Sequence, residues 1–130
     1  MKDNKLRYLL DNNLPSTATR IWSTWPFYME ALGTTGNFDY AEFVAEYAPY
    51  TQADLENLAR AAELHGMGTM IKIDFQGREY AAQKAVAAGF QAVLFADHRN
   101  ARQVEESVKA MKPDTPAWGG LYGCPARRFI

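Results

Sequence analysis

Four short runs rich in β-branched and aromatic residues alternate along this chain with segments of helical periodicity, and this alternation limits the fold most. The runs are Arg20–Trp25, Asn37–Tyr47, Gly68–Asp74 and Ala92–Asp97. Each is bounded by turn-forming residues, as strands are. Ahead of them Lys2–Asn12 places Leu6, Leu9 and Leu10 at helical spacing, and Asn12-Asn13 with Pro15 stops that helix. Pro26 suits a first helical turn, and Phe27–Leu32 continues to Gly33 or Gly36. Thr51 and Asp54 form a capping-box pattern before Leu55, Leu58, Ala59 and Ala62, and Gly66 stands where a helix-ending glycine belongs. Arg78–Ala88 is alanine-rich and closed by Gly89. Asn100 caps a last helix that Pro113 ends, with Val104, Val108 and Met111 expected inward and Arg102, Glu105, Glu106 and Lys109 outward. Residues 114–130 read as a loop.

Strands alternating with helices at this spacing require a parallel sheet with right-handed crossovers. A weak internal repeat points further. Gly66-Met67…Asp74 and Gly89-Phe90…Asp97 share one layout of helix-ending glycine, apolar residue, strand and terminal aspartate. The expected fold is therefore of the (β/α) TIM-barrel type, with about four of its eight units behind an N-terminal helix. A small doubly wound sheet is the alternative, but the phosphate-binding pattern G-x-G-x-x-G follows none of the strands. The 130 residues are read as a single, partial barrel domain.

Ligands of parallel α/β folds bind beyond the carboxyl ends of the strands. That rim would carry Trp22 and Ser23, then Glu46 and Tyr47 in the stretch YAEFVAEYAP, then Lys72 and Asp74, then Asp97, His98 and Arg99. In Met70–Asp74 the two isoleucines share one face, so Lys72 should point into the barrel. An inward lysine needs a counter-charge, which Glu46 or Glu42 can supply. Lys72 either holds a substrate carboxylate or forms a buried pair that fixes strand register; a Schiff-base role would need a lowered pKa. Tyr47 is a packing aromatic or an acid, and His98 a general base or part of a solvated loop. Asp74 and Asp97 could ligate metal, although capping the next helices is the simpler role. Trp22, Trp25, Phe27 and Tyr28 line a pocket or the core, and Arg127-Arg128 are solvated or bind an anion.

A formal charge of −1 gives no case for nucleic acid or an anionic membrane. No apolar run reaches the ~20 residues of a membrane span, and the charged start is no signal peptide. Cys124 is the single cysteine, so no internal disulfide exists and a reducing, cytoplasmic setting is expected. With no second Cys or His near it in sequence, a structural zinc site is not expected.

The ordered set IWSTW, EYAP, DLENLARAAELHGM, TMIKID, AAGFQAVLFADHRNARQVEESV and GGLYGCPARR resembles the N-terminal half of the HpcH/HpaI aldolase family. The resemblance implies a (β/α) barrel and retro-aldol cleavage of a 4-hydroxy-2-oxo acid to pyruvate and an aldehyde. It also implies a divalent metal, Mg or Mn, acting as Lewis acid, and oligomeric assembly. Two positions depart from the family pattern. Tyr47 stands where the resemblance implies the base histidine, and Lys72 where it implies a carboxylate-binding arginine. The family's metal-binding Glu and Asp belong to the fifth and sixth units, which this sequence does not contain. The expectation is thus a fragment of a longer aldolase-like protein, or a half barrel completed by a homo-oligomer or a complementary half. The competing readings are a non-catalytic binding or assembly module, and another chemistry using Tyr47 as acid or His98 as base.

Overall fold

The computed structural model describes residues 3–123. Its elements run α1 (Lys5–Asp11), β1 (Ala18–Ile21), α2 (Pro26–Thr34), β2 (Tyr40–Val44), α3 (Gln52–Leu64), β3 (Gly68–Ile73), α4 (Arg78–Ala88), β4 (Ala92–Phe95) and α5 (Ala101–Met111). The strands are all parallel and lie in the order β1-β2-β3-β4. This sequential order excludes the doubly wound alternative, in which the strand order reverses at a switch point. The sheet is an open part of a (β/α) barrel, with β1 and β4 as its edges.

Register divides the side chains between two faces. Ile21, Phe43, Ile71 and Val93 align across the sheet, as do Arg20, Glu42, Met70 and Ala92. The first row packs beneath the helices with Met29, Leu55, Leu58, Ala82, Ala85 and Phe90, forming the apolar core. Burying a side chain the size of Phe43 or Ile71 contributes roughly 1.5–3 kcal/mol. The second row faces the barrel interior, where Glu42 is buried and Arg20 meets it at 3.2 Å.

The internal repeat has a physical cause. Gly66 and Gly89 both adopt left-handed backbone, φ +67° and +110°. In each case the glycine N–H and the next N–H return to the helix. Gly66 bonds Glu63 and Met67 bonds Ala62; Gly89 bonds Val86 and Phe90 bonds Ala85. This paired helix-ending pattern then delivers a buried Met67 or Phe90 to the core just before the next strand. The capping box at Thr51 and Asp54 is present, with Thr51 N–H donating to Asp54 Oδ2 at 2.7 Å and Asp54 N–H to Thr51 Oγ1 at 3.3 Å.

Three expectations need correction. Strand β1 ends at Ile21 rather than Trp25, because the Trp25 N–H donates to Ser23 Oγ and turns the chain toward Pro26. Asp74 and Asp97 cap no helix: α4 begins at Gly77 without a side-chain cap, and Asn100 caps α5 with its own side chain. On α5 the buried residues are Ser107 and Ala110, while Val104 and Val108 are 45% and 49% exposed. Helix α5 turns its small residues to its neighbours, so Val108 is left in a cleft that Leu6, Leu10 and Val93 also line. After α5 residues 114–123 hold no helix or strand, as a loop should, but the loop is tied back to the end of the helix. Asp114 N–H bonds Tyr122 O, Tyr122 N–H bonds Lys112 O, and the Lys112 ammonium lies over the Trp118 ring. Cys124, Arg127 and Arg128 lie outside the described residues.

Close approach of α2 and α3 depends on Gly33, where an added Cβ would sit 2.6 Å from the His65 Cβ. Gly33→Ala should destabilise the fold by about 1–3 kcal/mol despite its better helix propensity. Denaturant titration measures this, and an unchanged midpoint would show that the two helices part easily.

Candidate active site

Beyond Val44, the last residue of β2, the backbone closes a tight turn, with Ala45 N–H on Phe43 O and Tyr47 N–H on Val44 O. Inside that turn the Glu46 N–H still reaches across to Lys72 O at 3.2 Å. The last ladder bond therefore fixes the backbone of Glu46 beside β3. Strand alternation in β3 buries Ile71 and Ile73 on the helix side and leaves Lys72 half-buried on the other face.

The result is a compact cluster on the rim. The Lys72 ammonium forms an ion pair with Glu46 Oε2 and lies 5.2 Å from the centroid of the Tyr47 ring. The ammonium is the main reason that the Glu46 carboxyl is held below its ordinary value of 4.5; burial opposes it and the Tyr47 hydroxyl adds to it. Reciprocally, Glu46 pushes the Lys72 amine above 10.5, against burial, with smaller pushes from Tyr47 and Glu42. A Schiff base requires an amine free of its proton. This arrangement works in the opposite direction and favours a permanent cation. Oε1 of Glu42 and Oε2 of Glu46 are buried and have no well-formed hydrogen bond. Each is met by a cation at ion-pair distance instead.

The other sequence-derived candidates make contacts of their own. Trp22 is 56% exposed and lines a shallow depression with Arg20, Ser23 and Tyr28. Trp25, Phe27 and Tyr28 pack together at centroid distances of 4.9, 5.7 and 6.4 Å, and all remain exposed rather than core. The His98 ring turns toward α5, with Nε2 2.9 Å from Ser107 Oγ. Asp74 raises the pKa of the neighbouring Tyr50, after burial and ahead of Tyr80.

Sequence reasoning missed Arg20. Its alternation with Ile21 is legible, but a strand starting at Arg20 instead of Ala18 does not show the pairing with Glu42. Among the described residues no three His, Cys, Asp or Glu side chains come together as metal ligands. Glu46 is already committed to Lys72. The residues present thus do not build a divalent metal centre by themselves. No helix among them is long and apolar enough to cross a membrane.

Taken together, these elements form an open row of (β/α) units with an ion pair on its rim. No family profile and no curated protein matches the chain. Solved structures do. It is similar to an HpcH/HpaI aldolase from Desulfitobacterium hafniense DCB-2 at TM-score 0.81 and 20% identity, over 94% of this chain and 46% of that one. An HpcH/HpaI aldolase/citrate lyase family protein from Burkholderia cenocepacia J2315 aligns at TM-score 0.80 and 21% identity, covering 94% and 48%. The citrate synthase SbnG aligns at TM-score 0.78 and 17% identity, covering 97% and 48%. The chain spans just under half the length of these structures, and what it shares with them is the fold: part of a (β/α) barrel.

The ion pair sets a pH window. The Glu46 pKa is lowered, so its contribution is complete above about 4.5 and lost as pH falls through the folded value. The Lys72 pKa is raised, so its contribution is complete below about 10.5 and lost as pH rises through the folded value. Lys72→Met should therefore lower the denaturation midpoint between these limits and converge on wild type beyond them. A pH-independent difference would sink the assignment. Subtracting the two proteins removes the acid-side contribution of Asp39, whose pKa Lys5 and Thr17 also lower.

Proposed function

We propose that this chain is part of an HpcH/HpaI-type carbon–carbon lyase that cleaves 4-hydroxy-2-oxo acids to pyruvate and an aldehyde. The observation that carries the proposal is Lys72, an inward cation on the rim, held charged by Glu46 beneath Tyr47. The likeness to solved aldolase structures supports the scaffold it stands on.

In the reaction, the proton leaves the C4 hydroxyl and the C3–C4 bond breaks. Its electron pair moves into the enolate of pyruvate, the aldehyde departs, and a proton returns to C3. Lys72 would hold the C1 carboxylate of the oxo acid, exchanging its contact with Glu46 for one with substrate. Glu46 keeps the ammonium in place between turnovers. Tyr47 would hydrogen-bond the substrate hydroxyl. A phenol hydroxyl serves as a donor more readily than as a base, so the proton acceptor is better sought elsewhere in the completed barrel. The same holds for a divalent metal, Mg or Mn, and no step is assigned to one here. The remaining strands would come from a longer polypeptide, a second copy or a complementary half barrel.

A second reading has its own support. The Lys72 charge is already balanced by Glu46, the carboxylate beside Tyr47. That is also the arrangement of a module that binds an oxo acid or assembles a barrel without catalysis.

Calorimetry with oxalate and pyruvate, paired with an assay of pyruvate release under Mg or Mn, separates these readings. The lyase reading expects binding that Lys72→Met weakens by about tenfold or more, and pyruvate release once the barrel is completed. Lys72→Arg should restore binding through its forked donors, and Tyr47→His should raise turnover. Binding with no turnover in the completed barrel supports the binding module, and absence of both removes the lyase and leaves only a structural, barrel-assembling role.

A further inference from the structure

Arg78 is the one buried cation among the described residues, with 9% of its surface exposed. It opens the eleven-residue helix α4 directly after Gly77, whose backbone is left-handed at φ +63° and which offers no side-chain cap. Its Nε donates to Phe75 O at 3.1 Å, and the guanidinium stacks over the Phe75 ring at 4.1 Å. Arg99 lies over the same ring at 5.6 Å. Nη1 of Arg78 is out of solvent and has no hydrogen-bond partner.

No carboxylate among the described residues forms an ion pair with Arg78. Residues 1, 2 and 124–130 carry no acidic side chain. A buried guanidinium without a counter-charge is costly, and a ligand anion would relieve that cost. Arg78 lines a cleft of about 450 Å³ between the start of α4 and helix α5. Glu79 and Glu106 also line it, but Glu106 is engaged by Arg102 at 3.6 Å.

We infer that this cleft is a phosphoryl-binding site, separate from the Lys72–Glu46 cluster, that takes inorganic phosphate or a phosphomonoester. Two sets of donors border it: the Nη groups of Arg78 and the N–H groups of the first turn of α4, which no side chain caps. A carboxylate has two oxygens and fills the fork alone, whereas a tetrahedral dianion can use both sets. Arg99, over the same Phe75 ring at 5.6 Å, adds a second positive charge and forms no ion pair with a carboxylate among the described residues.

The test is an amide NMR titration of the full chain with inorganic phosphate, glycerol phosphate and acetate. Saturable shifts at the Arg78, Glu79 and Tyr80 amides are expected with the two phosphates and not with acetate. Arg78→Met should weaken phosphate by about tenfold or more, and Lys72→Met should leave it unchanged, which keeps this site distinct from the proposed oxo-acid site. Tighter binding of glycerol phosphate assigns the site to a phosphorylated metabolite; tighter inorganic phosphate assigns it to the free anion. If Arg78→Met does not fold, the exposed Arg99→Gln serves, with weakened phosphate binding expected. Absence of saturable shifts at the three amides, equal binding of acetate, or unchanged affinity in the folded variant overturns the inference.

Discussion

A parallel strand has to satisfy both of its faces, and this sheet does so by two different chemistries. On one side, Phe43, Ile71 and Ile73 are sealed under helices α2 to α4. On the other, the central strands carry charge: Glu42 with Arg20, and Lys72 with Glu46 just past the end of β2. The interior ion pairs depend on the register β1-β2-β3, since a one-residue slip would send Lys72 under the helices and an isoleucine into the barrel. The register in turn rests on the helix-side packing, which rejects a charged side chain. Core and rim therefore fix each other.

The helix–strand succession was legible because its punctuation is chemical. Thr51 and Asp54, Gly66, Gly89 and Asn100 each mark a helix end through a hydrogen bond or a backbone conformation that few other residues supply. Where punctuation was absent, reading slipped. RIWSTW has β propensity throughout, and only the Ser23 side chain, which takes the Trp25 N–H, shows where the strand stops. On α5 the apolar stripe was correctly spaced but faces a cleft, because tertiary packing selected Ser107 and Ala110 for the close contact.

The site divided the same way. Two-residue alternation was enough to turn Lys72 inward and to name Glu46 as its partner. It could not tell that His98 turns toward Ser107, which depends on the path of the loop after β4. Arg78 passed unremarked because an arginine at a helix start is ordinary in sequence. Only its burial, without an ion-pair partner among the described residues, sets it apart.

The sequential strand order has a kinetic consequence. Every strand pairs with the strand before it in the chain, and α3, α4 and α5 each pack against the helix preceding them. Each new unit then finds its partner already formed, and the loops that must close stay short in sequence. Such a chain suits synthesis from its N-terminus, each unit settling on the last as it leaves the ribosome. The exposed edge of the most recent strand is the template for the next at each step.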